Sequence, residues 1–284
     1  MEPVGFLGVL KLSILIIHGN SRHFLCIALM LALSGALQGL LLDDTSSSNI
    51  RTFAEVTSLA VYLACTPLLT FSVCRACLGK SVDMKGSANG IERSVKNLQI
   101  TLLCVVTAAA VVVGIAAGVV FAVAPLVGGT AGVMITIAGV LAAGVGLLYV
   151  AVELNLAETV AILEESRGWE AMRRSMYLVG RAHKKGVTLG LWLLFVLSAL
   201  LLMLPLLASD SRWIALSLGF LGSPLLGIFS GVSRVVLYMS CRAGVQEPLD
   251  TLVAASAQFG PQLDTSHAKF LDLETASRTS TLST

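Results

Sequence analysis

The sequence predicts an all-α protein, a polytopic membrane bundle of six transmembrane helices with further amphipathic helices at the interface. Hydrophobic residues make up 56% of the chain and charged residues only 13%, whereas soluble domains carry about 25% charged residues. Long uncharged runs recur along the sequence, and about 20 apolar residues in a helix cross a hydrocarbon core of roughly 30 Å. Helices are expected rather than strands because each helix satisfies its own backbone hydrogen bonds in lipid.

Six apolar runs are long enough to cross a membrane and together define a membrane domain over 23–242. Proline interrupts the second and sixth runs at Pro67 and Pro224, where a kink is expected because proline removes an internal hydrogen bond. Pro125 should begin the turn after the third run. The predicted spans are 24–42, 53–74, 98–124, 129–150, 186–208 and 213–241.

The two ends of the chain differ from this pattern. Residues 3–19 are apolar but short, so they are either the hydrophobic part of a signal peptide or a helix at the interface. The interfacial segment, over 1–22, is favoured because the chain has no basic start and no cleavage site of small residues. Residues 243–284 are polar and end in serine and threonine, which predicts a disordered cytosolic tail because too little apolar surface is available for folding.

Basic residues are segregated between alternate loops. The termini and the loops after the second and fourth spans hold 17 of the 19 lysines and arginines, with Arg234 included, and the other loops hold only Arg51 and Arg212. Cytosolic loops of membrane proteins carry an excess of these residues. We therefore expect both termini in the cytosol and a location in the endomembrane system or the plasma membrane.

The fourth span leads directly into a polar helical extension that reaches Glu165. Glu153 and Glu158 begin this extension, and Arg234 should lie at a similar depth in the sixth span, where a Glu–Arg pair would neutralise a costly charge. Such a pair would serve a proton or ion path or a lipid headgroup. The alternative, favoured because the uncharged run ends at Val150, is a helix end whose acids face water while Arg234 extends to the interface.

A basic segment follows over 169–182, with apolar and basic residues at the spacing of an amphipathic surface helix. Each basic residue near anionic lipid contributes roughly 1 kcal/mol. The alternative, a connecting loop kept in the cytosol by its charge, is compatible with that interpretation. The predicted headgroup-binding residues are Arg173, Arg174, Arg181, Lys184 and Lys185, with Trp169 as the anchor.

The remaining motifs are weak. Glycines four residues apart in four spans would let helices approach closely, within the bundle or in a homo-oligomer. A single C-x-x-C at Cys74 and Cys77 is insufficient for zinc, so reduced thiols are favoured, with palmitoylation as the alternative. No nucleophile, metalloprotease or phosphate-loop motif occurs, so no catalytic residue, metal or cofactor is expected. A net charge of +2 gives no indication of a nucleic-acid partner.

These observations favour a non-enzymatic integral membrane protein. We expect it to engage membrane lipids or to organise partners, which include a second copy or another membrane protein. The alternative is a small-solute or ion transporter that uses Glu153, Glu158 and Arg234. A membrane-embedded enzyme is a third hypothesis, but the sequence lacks a catalytic constellation for it.

Three stretches carry a resemblance to known proteins. The most specific runs from Leu163 to Arg181, as LEESRGWEAMRRSMYLVGR, and is followed by an apolar helix; FLGVL at 6–10 with RHF at 22–24, and YMSCR at 238–242, accompany it. The chain resembles a plant family of uncharacterised six-span membrane proteins, and the long stretch is similar to the membrane domain associated with bacterial glycerophosphodiester phosphodiesterases. The resemblance implies a shared fold and a plant source, and it implies no activity.

Overall fold

The computed structural model describes residues 5–43, 48–78, 91–208 and 212–245, and within them the chain forms nine α-helices and no strand. The predicted all-α class is therefore confirmed, whereas nearly all of the tail predicted over 243–284 lies outside the described residues. The helices are α1 (Phe6–Gly19), α2 (Ser21–Asp43), α3 (Ser48–Cys77), α4 (Ile91–Val127), α5 (Gly129–Leu154), α6 (Ala157–Leu163), α7 (Trp169–Arg181), α8 (Lys185–Ala208) and α9 (Arg212–Gly244).

Four helical segments are long and apolar enough to cross a membrane: Glu55–Cys77, Glu92–Val127, Gly129–Leu163 and Pro224–Gly244. Two further helix pairs are long and apolar enough when taken together, and each is sharply bent, by 93° between α1 and α2 and by 113° between α7 and α8. The described residues therefore contain four to six candidate spans. The chain is an integral membrane protein built as a helix bundle.

The main core forms around α3, α6 and α9. Tyr238 of α9 and Leu156 and Val160 beside and within α6 are fully buried there. The N-terminal helix α1 also packs on α9, because Val9 is fully buried and the Ser233 hydroxyl donates a hydrogen bond to the Ser13 hydroxyl at 3.2 Å. The segment predicted at the interface is thus joined to the bundle along one face.

Helices α4 and α5 form an antiparallel hairpin with mostly exposed apolar outer halves. The turn that we predicted at Pro125 is wrong, because α4 includes this proline and ends at Val127. Proline in the last turn of a helix removes only one hydrogen bond, whereas Gly128 and Gly129 have φ angles of +63° and +54°. Glycine adopts this left-handed backbone without a steric penalty, so the chain reverses at the glycines.

The polar helical extension that we predicted to reach Glu165 is shorter and is interrupted once. Helix α5 ends at Leu154, a turn occupies 155–156, and α6 ends at Leu163. Glu165 has a φ angle of +53° and lies outside either helix. The glutamates before and after this turn pair with residues of several neighbouring helices.

Candidate functional site

Three glutamates of the α5–α6 segment each pair with a basic residue of a different helix. Between them they connect α5 and α6 to the surface helix and to two helices of the bundle. We call this set, together with the tyrosines bonded to it, the glutamate network. Its ion pairs are Glu153 with Lys185 of α8, Glu158 with Arg234 of α9, and Glu164 with Arg174 of α7.

The central pair of the glutamate network is Glu158 with Arg234. The Arg234 Nη1 donates to the Glu158 Oε2 at 2.5 Å, and the Tyr62 hydroxyl donates to the same oxygen at 3.2 Å. The Glu158 and Arg234 side chains are only 19% and 22% exposed. A charge so poorly accessible to water needs a partner, and these two side chains neutralise each other.

Glu164 joins the surface helix α7 to α9. The Arg174 Nε donates to its Oε2 at 2.9 Å, and the Tyr238 hydroxyl donates to its Oε1 at 2.7 Å. The Arg242 Nη1 donates in turn to the Tyr238 oxygen at 3.1 Å and lies 3.9 Å from Glu164 Oε1. Two arginines therefore lie beside one carboxylate, and a buried tyrosine connects Arg242 to it.

Glu153 is the most buried of the three acids, and its carboxylate pairs with Lys185. The Ser175 hydroxyl of α7 donates to the Glu153 carbonyl oxygen at 2.7 Å, so this residue contacts α7 as well as α8. Lys184 lies in the turn between these helices and is buried. Burial lowers the pKa of the Lys184 ammonium group below its ordinary value, because it disfavours the charged form.

The linker that precedes α7 is bound to α4. The Thr101 hydroxyl accepts a hydrogen bond from the Gly168 N–H at 3.0 Å, and the Asn97 side chain donates to the Glu165 carbonyl at 3.2 Å. Gly168 has a φ of +51°, and a Cβ there would lie 3.1 Å from the Cys104 Sγ. Only glycine satisfies both the backbone angle and the close approach, so this residue sets the start of α7.

Helix α7 has two distinct faces. Its inner face packs on the bundle through Ala171, Met172, Ser175, Leu178 and Val179. Its outer face carries an aromatic or cationic residue at every fourth position, and these four residues are exposed. We call them the outer stripe; they are Trp169, Arg173, Tyr177 and Arg181.

A cavity of about 320 Å³ lies between α2, α3, α6 and α9. Glu158, Arg234 and Tyr62 line it, so the central ion pair of the glutamate network is accessible from this space. Thr66 and Thr70 of α3 also line it. The arrangement offers hydrogen-bond donors and acceptors inside a bundle of apolar helices.

Residues 37–257 match the family model described as a domain of unknown function, DUF8558. This stretch covers more than half of the 284 residues. The chain belongs to the DUF8558 family. The matched stretch includes every residue of the glutamate network and of the outer stripe, and the cavity residues from Ser58 onwards. Helix α1 and most of α2 precede it. No curated protein and no solved structure matches the sequence.

The site residues that we predicted from the sequence lie in different environments in the structure. Arg234 lies beside Glu158, and Glu153 pairs with Lys185 instead. Of the six residues predicted to bind headgroups, three lie on the outer stripe, two pair with a glutamate and one is buried. Trp169, Arg173 and Arg181 are exposed, Arg174 pairs with Glu164, Lys184 is buried and Lys185 contacts Glu153.

Sequence reasoning missed Tyr62, Tyr238 and Arg242. A signal for two of them was present, because Arg234, Tyr238 and Arg242 are four residues apart and therefore lie on one face of a helix. Tyr62 carried no such signal, since a tyrosine in an apolar run is typical of a packed or interfacial position. Within the described ranges, no group of three or more His, Cys, Asp or Glu could hold a metal ion.

Proposed function

We propose that this chain is a non-enzymatic integral membrane protein that engages lipids or organises partners at the cytosolic face of its membrane. The observation that supports this proposal is the outer stripe of α7. Trp169 is 62% exposed and Tyr177 is 45% exposed, and the two arginines alternate with these rings. Tryptophan and tyrosine favour the headgroup level of a bilayer, and arginine binds phosphate.

The orientation of α7 suits a position along the membrane surface. The helix differs in direction from the apolar helix α8 by 113°. If α8 crosses the bilayer, α7 runs close to the membrane plane, and contacts of Ser175 and Arg174 with the α5–α6 segment hold its inner face against the protein. The outer stripe is then available to headgroups over the length of the helix.

The proposed topology has six spans and both termini in the cytosol. It counts one span in each bent helix pair, and the segregation of lysine and arginine supports it. An even number of spans places the termini on one side. We further propose a plant source, a location in the endomembrane system or plasma membrane, and a fold shared with the membrane domain of bacterial glycerophosphodiester phosphodiesterases, all from the resemblance and composition given above.

The lipid role is tested with the full-length protein in nanodiscs. In a background with Trp192→Phe and Trp213→Phe, fluorescence of Trp169 reports quenching by brominated phosphatidylglycerol or brominated phosphatidylcholine. We expect the anionic lipid to be preferred. Replacing Arg173 and Arg181 with glutamine should weaken that preference roughly 30-fold, because each arginine contributes about 1 kcal/mol.

The matched control for this experiment is Glu170→Gln. Glu170 is an exposed acidic residue of the same helix. Its loss leaves both arginines in place and removes a repulsive charge, so the preference for anionic lipid should stay or increase. An unchanged preference in the double arginine variant would rule out the lipid-binding role of the outer stripe.

We propose as a second function the transport of a small solute or ion past Glu158 and Arg234, with Glu153 nearby. The cavity that these two residues line supports it. Cysteines introduced at Ser58 and Thr66, in a protein without native cysteines, should react with a water-soluble thiol reagent, whereas a cysteine at the lipid-facing Gly118 should not. Glu158→Gln should abolish solute flux in reconstituted vesicles. Protection of both cavity positions, or undiminished flux, would refute this function.

A further inference from the structure

The cavity is an elongated space that runs along two of its helices. Its wall extends from Ser58 to Thr70 on α3 and from Pro224 to Arg234 on α9. These segments measure about 18 Å and about 15 Å at a helical rise of 1.5 Å per residue. Small-molecule pockets have volumes of about 300 to 1,000 Å³. A cavity of about 320 Å³ is therefore large enough for a metabolite or a lipid headgroup.

The ion pair in the cavity retains capacity for further hydrogen bonds. Both bonds to Glu158, from Arg234 and from Tyr62, end on Oε2. The other oxygen, Oε1, accepts no hydrogen bond from any residue that the structure describes. A guanidinium group carries five N–H donors, more than its contacts with Glu158 and Tyr62 use. Within the described part of the chain, a free acceptor and free donors thus occur on adjacent side chains.

The threonines of the cavity wall add acceptors. The Thr66 hydroxyl donates to the Tyr62 carbonyl at 2.8 Å, and the Thr70 hydroxyl donates to the Thr66 carbonyl at 2.9 Å. Each hydroxyl proton is therefore used within α3. A hydroxyl oxygen has two lone pairs, and the Thr66 side chain also hydrogen-bonds the Tyr62 side chain, so at least one lone pair remains on each oxygen. A ligand with several N–H donors, such as a primary ammonium group, suits this wall.

We infer that the cavity binds a small zwitterion that carries a primary ammonium group close to a carboxylate or phosphate. The ammonium group bonds to Glu158 Oε1 and the threonine oxygens, and the anionic group bonds to the free N–H groups of Arg234. A simple cation is repelled by Arg234 and a simple anion by Glu158, whereas a zwitterion complements both charges. This inference names the substrate class of the second proposed function and rests on it.

Two sources could supply this chemistry: a free amino acid, or the ethanolamine headgroup of a phospholipid. The purified full-length protein in detergent is titrated with L-alanine and with dihexanoyl phosphatidylethanolamine. The matched compounds without an ammonium group are L-lactate and dihexanoyl phosphatidylglycerol. We expect at least one zwitterion to bind saturably, and its partner compound to bind roughly 10- to 100-fold more weakly because a charged hydrogen bond is lost.

The outcomes separate the two sources. Binding of L-alanine alone assigns the site to a solute, binding of the phospholipid alone assigns it to a lipid, and binding of both supports the shared chemistry. Binding of neither zwitterion, or equal binding of lactate or phosphatidylglycerol, would overturn the inference.

A second variant keeps the test independent of the ion pair. Gly227 lines the cavity, and a Cβ at this position meets no atom within 4 Å. Gly227→Leu should therefore fill part of the cavity and remove saturable binding without disturbing the fold. Gly118→Leu on α4 is the control, since it is equally open but lies outside the cavity, and it should bind as the wild type does. Full binding by Gly227→Leu would place the ligand elsewhere and refute the site.

Binding and flux are measured separately, so the two proposals can fail separately. Saturable binding that Gly227→Leu removes, without flux in vesicles, would support the zwitterion site and exclude transport. Flux of another solute that depends on Glu158, without zwitterion binding, would support transport and exclude the zwitterion as its substrate.

Discussion

Replacing Glu158 with glutamine removes the charge that neutralises Arg234 while it keeps the size of the side chain. Loss of one member of a fully buried pair costs about 3–5 kcal/mol, and an exposed pair is worth about 0–1 kcal/mol. Glu158 and Arg234 are 19% and 22% exposed and 2.5 Å apart, so they lie nearer the buried limit. We expect Glu158→Gln to lower the free energy of unfolding by about 2–3 kcal/mol.

The assay is steric trapping of the full-length protein in bicelles, which measures the free energy of unfolding directly. Arg234→Met and the double variant complete a double-mutant cycle. The double variant should be less destabilised than the sum of the single variants, because the second change removes the charge that the first one left without a partner. The ion pair predicts a coupling energy between positions 158 and 234 that differs from zero.

Glu92→Gln serves as the control for this cycle. Glu92 forms an ion pair with Lys96 at 3.0 Å, but both side chains are exposed, at 86% and 68%. Its loss should leave the free energy of unfolding within experimental error, since solvent screens such a pair. The reasoning is refuted if Glu158→Gln behaves like this control, or if the effects of Glu158→Gln and Arg234→Met are additive.

Three further substitutions test how α7 and its surroundings are held, each measured by the same unfolding assay. Gly168→Ala should destabilise by about 1–3 kcal/mol, because a left-handed backbone and a crowded Cβ penalise alanine, whereas Gly118→Ala should be neutral or stabilising. Tyr238→Phe removes the hydroxyl that donates to Glu164 at 2.7 Å, and it should cost about 1.5–3 kcal/mol. Ser175→Ala breaks the 2.7 Å hydrogen bond to α5 and should cost about 1 kcal/mol. For each of these three variants, a free energy of unfolding equal to that of the wild type would contradict the expectation.

The helical class and most spans could be predicted because hydropathy is a local property of the sequence. A run such as 129–150 must be helical in lipid whatever its neighbours are, since no other structure there satisfies the backbone. The end of α4 could not be placed correctly from Pro125, because two glycines downstream offered an easier reversal. Proline and glycine both favour the end of a helix, and the sequence alone does not show at which of them the helix ends.

The partners of the glutamates depend on the directions of helices, which hydropathy does not specify. The break between α7 and α8 bends the chain by 113°, and Lys185 is the first residue of α8 after that bend. Glu153 pairs with Lys185, while Glu158 pairs with Arg234. The two acids are five residues apart, which is about 140° around a helix, so they face different neighbours. The sequence therefore identified ionisable residues of the site without all of their partners.

The glutamate network has a structural consequence that apolar packing alone would not provide. Helix α6 has only seven residues, and isolated helices shorter than about 12–15 residues are marginal in water. Lipid tails are as apolar as leucine, so burial of leucine and valine does not strongly favour one helix arrangement over another within a bilayer. Ion pairs do discriminate, because a shifted helix would leave a carboxylate or guanidinium without a partner. Glu158 and Glu164 connect α6 and its C-terminal end to α7 and α9. We therefore infer that these pairs determine the register of α6 in the bundle, and that the register in turn keeps Glu158 at the cavity and the outer stripe of α7 at the surface.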